Sequence, residues 1–144
     1  AELKAIRISA ANPGALVIGA DQVLSFAGEL VSNCATLDEA RTLLRRLRGR
    51  SHELYSAAVM AKGGLPIWRH VERARLTMFP VSDEFIENHL VRKGEDVLSG
   101  VGCYRLEDDG AQFFSHGAGD YFAILGLPLI QLLSALREQG VIPK

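Results

Sequence analysis

The sequence predicts a single α/β domain over residues 1–144, with helices flanking a mixed, elongated sheet. Three observations predict this class. A short, continuously apolar run at 15–20 is typical of a buried strand. Apolar residues at helical spacing follow a capping sequence at 36–48. Two long strand-like segments, 52–62 and 65–79, flank a Gly-Gly pair that favours a tight hairpin turn.

Composition fits a globular domain and argues against two classes of partner. Hydrophobic residues make up 48% of the chain, which suffices for a core. The formal net charge is −1 with both signs interspersed, so neither nucleic acid nor a membrane surface is an expected partner. No apolar run is as long as a membrane span, and no signal peptide is visible. Cys34 and Cys103 are far apart in sequence without metal-ligand spacing, so we expect a reduced, cytoplasmic protein.

The first elements lead to an acidic residue. Residues 1–11 resemble the end of a helix, because they lack an N-cap and stop at an Asn-Pro-Gly breaker, so we expect that an N-terminal segment is missing. The apolar run predicts a strand buried on both faces that ends at Asp21. Residues 22–26 either extend this strand or form the next one, and Ala27-Gly28 turns the chain.

The next element is a capped amphipathic helix. In "TLDE" the Thr36 hydroxyl can accept from the backbone N–H of Glu39, whose side chain can reach back. Three leucines form an apolar stripe and Gly49 ends the helix. A solvated helix face is the expected role of the arginines on the other sides, and a nucleic-acid patch is the alternative; they are Arg41, Arg45, Arg46 and Arg48.

The Gly-Gly hairpin should be partly exposed, because neither face of its second strand is cleanly apolar. A short helix is expected next, capped by Ser82 and continuing to about Leu90. A second strand pair is then expected at 101–107 and 111–116, joined by an Asp-Gly turn at 109–110.

The final element is a helix with Pro128 as its first residue and Gly140 at its end.

Two acidic residues are candidates for chemistry. Asp21 ends a predicted strand, and ligands of open α/β sheets bind beyond the carboxyl ends of strands. A cation ligand or a general base is therefore one interpretation, and an aspartate that only caps a turn is the alternative. Glu107 lies inside a predicted strand and could help Asp21 to hold Mg²⁺ on phosphate oxygens. A surface glutamate without a role is the alternative.

Several other patterns are excluded. The glycines of "LSGVGCY" lack the Lys and Ser/Thr of a P-loop. The histidines show no zinc spacing, and we interpret them as structural or exposed residues; they are His52, His70, His89 and His116. No Gly-x-Ser-x-Gly element is present, and neither cysteine has the context of a nucleophile.

Several stretches together resemble one family. "VIGADQV" resembles the VIGADTV core of the Maf-type nucleotide pyrophosphatases. "LDEARTLLRRLRGRSHELYSAAV" resembles the family segment with an A…L..L.G..H pattern. "GCY" followed by "HGAGDYFAILGLPLIQLL" resembles the family's G-A-Y motif and its G-D-Y-x-x-V-x-G-L-P-L ending. The similarity extends from about residue 1 to about residue 140.

The resemblance implies a fold similar to that of inosine triphosphate pyrophosphatases, with a cleft between two lobes. It implies hydrolysis of standard or modified nucleoside triphosphates to the monophosphate and pyrophosphate. The implied cofactor is a divalent cation, Mg²⁺ or Mn²⁺. It also makes a homodimer an expected assembly, to which the half-exposed hairpin could contribute an edge. Some members of the family are linked to arrest of septum formation in bacterial division.

The resemblance assigns roles to five residues. Asp21 matches the family's carboxylate after "GA", as the base or as a cation ligand that orients the water. Lys4 matches a family lysine, a suitable point charge for a triphosphate. Asn33, Ser99 and Glu107 stand at positions expected to contact the substrate, and Glu107 is also a candidate cation ligand.

This chain also departs from the family pattern. The family's Ser-rich, Arg-containing loop has no counterpart here. Asn33-Cys34 replaces a usual Lys-Pro, Ser99-Gly100 replaces Asp-Lys, and Glu107 replaces Gln. Each lost phosphate contact could cost roughly 1.5–3 kcal/mol. A catalytically impaired protein that binds a nucleotide or a partner and is linked to cell division is therefore the alternative function.

Overall fold

The structure, a computed structural model, describes residues 1–144. It contains five strands, five α-helices and three short 3₁₀ helices between the third helix and the last strand. The α-helices are α1 (Glu2–Ala11), α2 (Leu37–Leu47), α3 (Asp83–Lys93), α4 (Tyr121–Ile124) and α5 (Leu129–Glu138). The strands are β1 (Val17–Phe26), β2 (Glu29–Val31), β3 (Ser51–Lys62), β4 (Leu65–Met78) and β5 (Phe114–Ala118). The 3₁₀ helices are Gly94–Ser99, Val101–Cys103 and Asp109–Phe113.

The strands form one sheet in the order β2-β1-β3-β4-β5, which confirms the α/β class. The pair β1–β2 is antiparallel, with Phe26 opposite Glu29, and so is the pair β4–β5. Both two-residue turns are the predicted ones. Ala27-Gly28 and Gly63-Gly64 have positive φ angles at both positions, as this type of hairpin turn requires. None of the helices could span a lipid bilayer.

The chain divides into two compact units, which are described separately. The first unit contains Ala1–Gln22, Tyr55–Arg73 and Gly119–Lys144. The second unit contains Val23–Leu54 and Ala74–Ala118.

In the first unit, helices cover both faces of β3. Val59 and Ala61 pack against Ala5 of α1, while Met60 packs against Leu132 and Ala135 of α5. Successive residues of a strand point to opposite faces, so α1 and α5 lie on opposite sides of this strand. Alternate burial against two helices explains why this part of β3 is apolar at every position.

In the second unit, α2 and α3 pack together through apolar stripes and ion pairs. The predicted caps are confirmed: Thr36 accepts from the Glu39 N–H at 3.2 Å, and Ser82 accepts from the Phe85 N–H at 3.1 Å. The Glu39 side chain reaches back to the N–H of Ala35, one residue earlier than expected. The buried α2 residues are Ala40, Leu43, Leu44 and Leu47, and each buried leucine contributes about 1.5–3 kcal/mol.

The arginines of α2 mostly form specific contacts rather than a free solvated face. Arg41 pairs with Glu87 of α3, and Arg48 lies 2.6 Å from Asp83. These contacts lower the pKa of both carboxyl groups, first through the hydrogen bonds from Arg41 and Arg48. Arg46 lies over the ring of Phe26. Arg41 and Arg48 therefore pair with carboxylates, and Arg46 contacts an aromatic ring, instead of all three being only solvated.

Two strand predictions are wrong. The run at 15–20 is not buried on both faces, because Ile18 is 43% exposed and Ala20 is exposed. The expected strand at 101–107 is absent, because Cys103 and Arg105 have φ angles of 61° and 51°. Extended strands require negative φ, so this segment forms a 3₁₀ helix and a turn instead.

The end of the second unit also differs from the prediction. Residues 109–110 begin a 3₁₀ helix rather than a hairpin turn. The strand expected at 111–116 is β5, shifted toward the C-terminus, and it pairs with β4 instead of with a strand at 101–107. Pro128 stands at the N-cap of α5, one position before the helix.

Two of the four histidines lie in the core of the second unit, which agrees with a structural role. The Nε2 atom of His52 lies 3.1 Å from the Tyr104 hydroxyl, and the Nε2–H of His89 donates to the Cys103 carbonyl at 3.0 Å. Burial lowers the pKa of His52 to about 4, and burial also lowers the pKa of His89. Both side chains are therefore neutral in the folded protein near neutral pH.

Stability is expected to fall as the pH drops from about 6.5 toward 4. Unfolded His52 gains a proton near its ordinary pKa of about 6.5, whereas folded His52 stays neutral until about pH 4. The unfolded state thus binds more protons in this window. Protonation of His52 alone should lower the free energy of unfolding by about 2.5 kcal/mol between about pH 7.5 and 4.5. Urea unfolding at the two pH values measures this loss.

His52→Gln is the control for this pH effect, because it keeps a polar side chain but cannot titrate. Its stability should depend less on pH than that of the wild type across the same window. A wild type with equal stability at both pH values would contradict the prediction.

Candidate functional site

Asp21 lies within β1 rather than at its end, and its side chain is 62% exposed. Its Oδ1 atom accepts from the N–H of Gln22 at 2.9 Å, and its Oδ2 atom lies 3.8 Å from the main-chain nitrogen of Ala1. The backbone therefore orients the carboxylate through one oxygen, while most of the side chain stays exposed. This arrangement suits a group that contacts a ligand better than one that only caps a turn.

Gly19 allows α1 to approach this part of β1. A Cβ atom at Gly19 would come within 2.9 Å of the Ala1 carbonyl oxygen and 3.0 Å of the Ala5 Cβ. Gly19 and Asp21 are two residues apart, so both face α1. The glycine of "VIGAD" thus brings the start of α1 beside the carboxylate.

Lys4 is exposed on α1, in the turn that approaches Asp21. Residues three apart lie on the same side of a helix, so Lys4 lies beside Ala1, whose nitrogen is near Asp21. The structure therefore places Lys4 and Asp21 on facing elements of the first unit. A lysine and a carboxylate on facing elements can attract a phosphate group and a cation, respectively.

Gln22 points to the other face of β1 and fixes the segment that contains the "GDY" motif. Its Nε2 atom donates to the carbonyl oxygens of Ala123 at 3.1 Å and Ile124 at 2.8 Å. Asp120 caps the single turn of α4 by accepting from the Ala123 N–H at 2.9 Å. Sequence reasoning assigned neither role, although an aspartate before an apolar turn is a recognisable N-cap.

Asn33, Ser99 and Glu107 belong to the second unit and are all exposed. Asn33 follows β2. Ser99 ends a 3₁₀ helix and donates to the Asp96 carbonyl at 2.8 Å. Glu107 lies in a turn, so the prediction that it lies inside a strand is wrong.

The turn that carries Glu107 is rich in ion pairs. Lys93 pairs with Asp108 and lies 3.3 Å from Asp109, which is also 2.9 Å from Arg92. Hydrogen bonding to Asp108 is the main cause that raises the pKa of Lys93. The only cation near Glu107 among these pairs is Arg105, with 3.7 Å between the Nε atom and the carboxylate.

Arg105 is not a free cation of the turn. Besides Glu107 it lies 3.9 Å from Asp96, and it is half-buried. Two carboxylates therefore lie within 4 Å of this guanidinium, and the backbone of Arg105 is in the left-handed region.

No group of three or more His, Cys, Asp or Glu side chains is placed to hold a metal ion. A closed, protein-only cage is thus not formed. Mg²⁺ is commonly held by one or two carboxylates together with phosphate oxygens of the substrate. The exposed carboxylate of Asp21 fits that second kind of site.

Similarity to known proteins agrees with this arrangement. A family model described as Maf-like protein matches residues 1–139. A nucleoside triphosphate pyrophosphatase of Caulobacter vibrioides is 51% identical over 142 residues, which cover 99% of this chain and 71% of that protein. A protein of the same name from Hyphomonas neptunium is 50% identical over 143 residues, 99% of this chain and 72% of that protein. A 7-methyl-GTP pyrophosphatase of Rhizobium etli is 46% identical over 142 residues, 99% of this chain and 71% of that protein.

Proposed function

Because the chain belongs to the Maf family, we propose that it is a nucleoside triphosphate pyrophosphatase. The substrate is a standard or modified nucleoside triphosphate, and the products are the monophosphate and pyrophosphate. The observation that carries this proposal is about 50% identity, over nearly the whole chain, to relatives with that name. The exposed carboxylate of Asp21 supports it, because the reaction needs a carboxylate near the attacked phosphate as a base or as a cation ligand.

The reaction is an attack of water on the α-phosphorus. The water oxygen forms a bond to phosphorus while the bond to the oxygen that bridges the α- and β-phosphates breaks, and pyrophosphate leaves with that oxygen. We assign Asp21 to the attacking water, as the base that takes its proton or as a cation ligand that orients it. The hydrogen bond from the Gln22 N–H fixes the carboxylate for either role.

The other site residues are proposed from the resemblance and from their chemistry. Lys4 supplies a positive point charge for the phosphate groups. Asn33 and Ser99 are uncharged, so they can replace lost charged contacts only with neutral hydrogen bonds, which are about half as strong. Glu107 is proposed as a cation ligand, because a bare carboxylate would repel a triphosphate.

A divalent cation, Mg²⁺ or Mn²⁺, supplies charge that neutralises the phosphate oxygens when it is bound. Asp21 would hold it together with phosphate oxygens, and Glu107 is the second proposed ligand. Both are exposed carboxylates, the ligand type that these hard cations prefer.

The remaining proposals concern assembly and location. We propose a homodimer, to which the hairpin of β3 and β4 contributes exposed apolar side chains: Leu65, Ile67 and Val71. Two unpaired cysteines support a reducing, cytoplasmic location. The link to septum formation is proposed from the family resemblance alone.

Pyrophosphate release from a panel of triphosphates tests the proposed function. The full-length protein should release pyrophosphate from at least one standard or modified nucleoside triphosphate with Mg²⁺ or Mn²⁺. Chelation of the cation should abolish release, because Lys4 is the only proposed cationic contact among the protein's own site residues. Inclusion of 7-methyl-GTP in the panel tests whether this protein also acts on the substrate for which some relatives are named.

The same panel separates the two functions. Nucleotide binding without pyrophosphate release would contradict the enzyme and support the catalytically impaired binding protein. Neither binding nor release, in a folded protein, would contradict both.

A further inference from the structure

Gln22, the residue after Asp21 in β1, forms hydrogen bonds on both sides of the strand. Its backbone N–H donates to the Oδ1 atom of Asp21 at 2.9 Å. Its side chain lies on the opposite face, where the Nε2 atom donates to the carbonyl oxygens of Ala123 at 3.1 Å and Ile124 at 2.8 Å. All four residues belong to the first unit. Gln22 therefore connects the orientation of the Asp21 carboxylate to the position of α4.

The end of α4 needs a donor that its own backbone cannot supply. A helical carbonyl accepts from the N–H four residues later, and the residue four positions after Ile124 is Pro128, which has no N–H. The N–H of Leu127 is engaged with the Phe122 carbonyl at 3.1 Å. The side-chain amide of Gln22 thus occupies a place that would otherwise leave the Ile124 carbonyl without a protein partner.

The contact between Gln22 and α4 is enclosed. Ser56 of β3 is only 1% exposed, and its hydroxyl accepts from the Gln22 Nε2 atom at 3.1 Å and donates to the Ala123 carbonyl. Ala123 is also buried. Hydrogen bonds in such surroundings are stronger than in water, and their loss is more costly, because water cannot readily replace the missing partner. The Gln22 side chain is therefore fixed at both Ser56 and α4.

The length of the glutamine side chain makes this contact possible. The VIGADTV core of the family has threonine at the position of Gln22, whereas this chain has "VIGADQV". A threonine hydroxyl stops two bonds nearer the backbone than the glutamine Nε2 atom. On the same backbone, threonine would leave the Ile124 carbonyl unpaired.

We propose that Gln22 is a positioning residue for Asp21. Its side chain, held by α4 and Ser56, fixes the main-chain N–H that orients the Asp21 carboxylate. This inference rests on the proposed pyrophosphatase activity. Gln22 acts through Asp21, so its loss should slow the chemical step and leave substrate binding nearly unchanged, because a small displacement of a reacting group greatly lowers the rate.

Gln22→Met in the full-length protein tests the proposal, because methionine has a similar length but no side-chain donor. Its kcat for pyrophosphate release should fall by about 10-fold, with KM within about twofold of the wild type. Gln22→Glu is the second variant, since its carboxylate has nearly the same shape and cannot donate to the carbonyls at neutral pH. It should lose at least as much kcat, and melting curves establish that both variants are folded.

Gln131→Met is the matched control. Gln131 of α5 is also half-buried in the first unit, and its Nε2 atom donates to Glu72 at 3.2 Å. Its kcat should stay within about twofold of the wild type. Hydrogen exchange gives a readout that does not depend on activity: the amides of α4 should exchange at least about 10-fold faster in Gln22→Met and at the wild-type rate in Gln131→Met.

Four results would overturn the proposal: an unchanged kcat in Gln22→Met, a raised KM with an unchanged kcat, an equal loss of kcat in Gln131→Met, or unaltered exchange of the α4 amides in Gln22→Met. A wild type that releases no pyrophosphate would instead contradict the proposed function. The exchange measurement would then still decide whether Gln22 holds α4 to β1.

Discussion

Asp21→Asn is expected to lower the rate of pyrophosphate release by about 100-fold or more, while the folded structure persists. The amide cannot take a proton from water and is a poor ligand for Mg²⁺. The fold should tolerate the change, because the side chain is mostly exposed and an amide oxygen can still accept from the Gln22 N–H. Steady-state kinetics with the best triphosphate measure the rate of pyrophosphate release, and a melting curve measures the stability of the fold.

Asp38→Asn is the matched control for this substitution. Asp38 is an exposed aspartate on α2, and its partner Arg41 keeps its contact with Glu87. Its pyrophosphate release should stay within about twofold of the wild type, as expected for a surface change. Equal activity of Asp21→Asn and the wild type would contradict the role of Asp21.

The cation dependence of Asp21→Asn distinguishes the two proposed roles of Asp21. If Asp21 is a ligand, a higher Mn²⁺ concentration should restore part of the lost rate, because weaker binding is overcome by mass action. If Asp21 is the base, the rate should stay low at saturating cation.

The elements that local chemistry determines were predictable from sequence. Thr36 and Ser82 cap their helices because a short hydroxyl side chain satisfies free N–H groups at any helix start. The Ala27-Gly28 and Gly63-Gly64 turns follow from the positive φ angles that a two-residue hairpin requires. None of these features depends on distant residues.

The segment after α3 was not predictable by the same reasoning. Cys103 and Arg105 adopt positive φ without being glycines, so nothing in their own chemistry indicates the turn. Tertiary contacts impose it: His89 binds the Cys103 carbonyl, and the Tyr104 hydroxyl meets His52. The apolar residues at 101–107 therefore pack in a 3₁₀ helix and a turn rather than in a strand.

The candidate site was predictable only in part. The position of Asp21 after an apolar run indicated a role, and the close approach of α1 follows from the glycine two residues before it. The packing of α2 against the 3₁₀ helix at Val101–Cys103 is not revealed by any spacing in the sequence. The burial of Arg105 between two carboxylates likewise depends on the tertiary structure.

Gly110→Ala is expected to destabilise the protein by about 3 kcal/mol or more, a drop in melting temperature of about 10 °C. A Cβ atom at this position would overlap the backbone carbonyl oxygens of Tyr104 and Arg105. Backbone atoms cannot move aside as a flexible side chain can, so the turn would have to shift as a whole. Thermal or urea unfolding measures the loss.

Gly100→Ala is the matched control, ten residues earlier in the same region. A Cβ atom there has no neighbour within 4 Å, and the backbone is extended with a φ of −133°. Alanine should change the stability by less than about 1 kcal/mol, and a small gain is expected because alanine restricts the unfolded chain. The sequence predicted Gly110 in a hairpin turn, where alanine would destabilise the protein only through the strain of a positive φ angle. Equal effects of both substitutions would therefore support a loose turn at 109–110 and contradict the close packing described for the 3₁₀ helix.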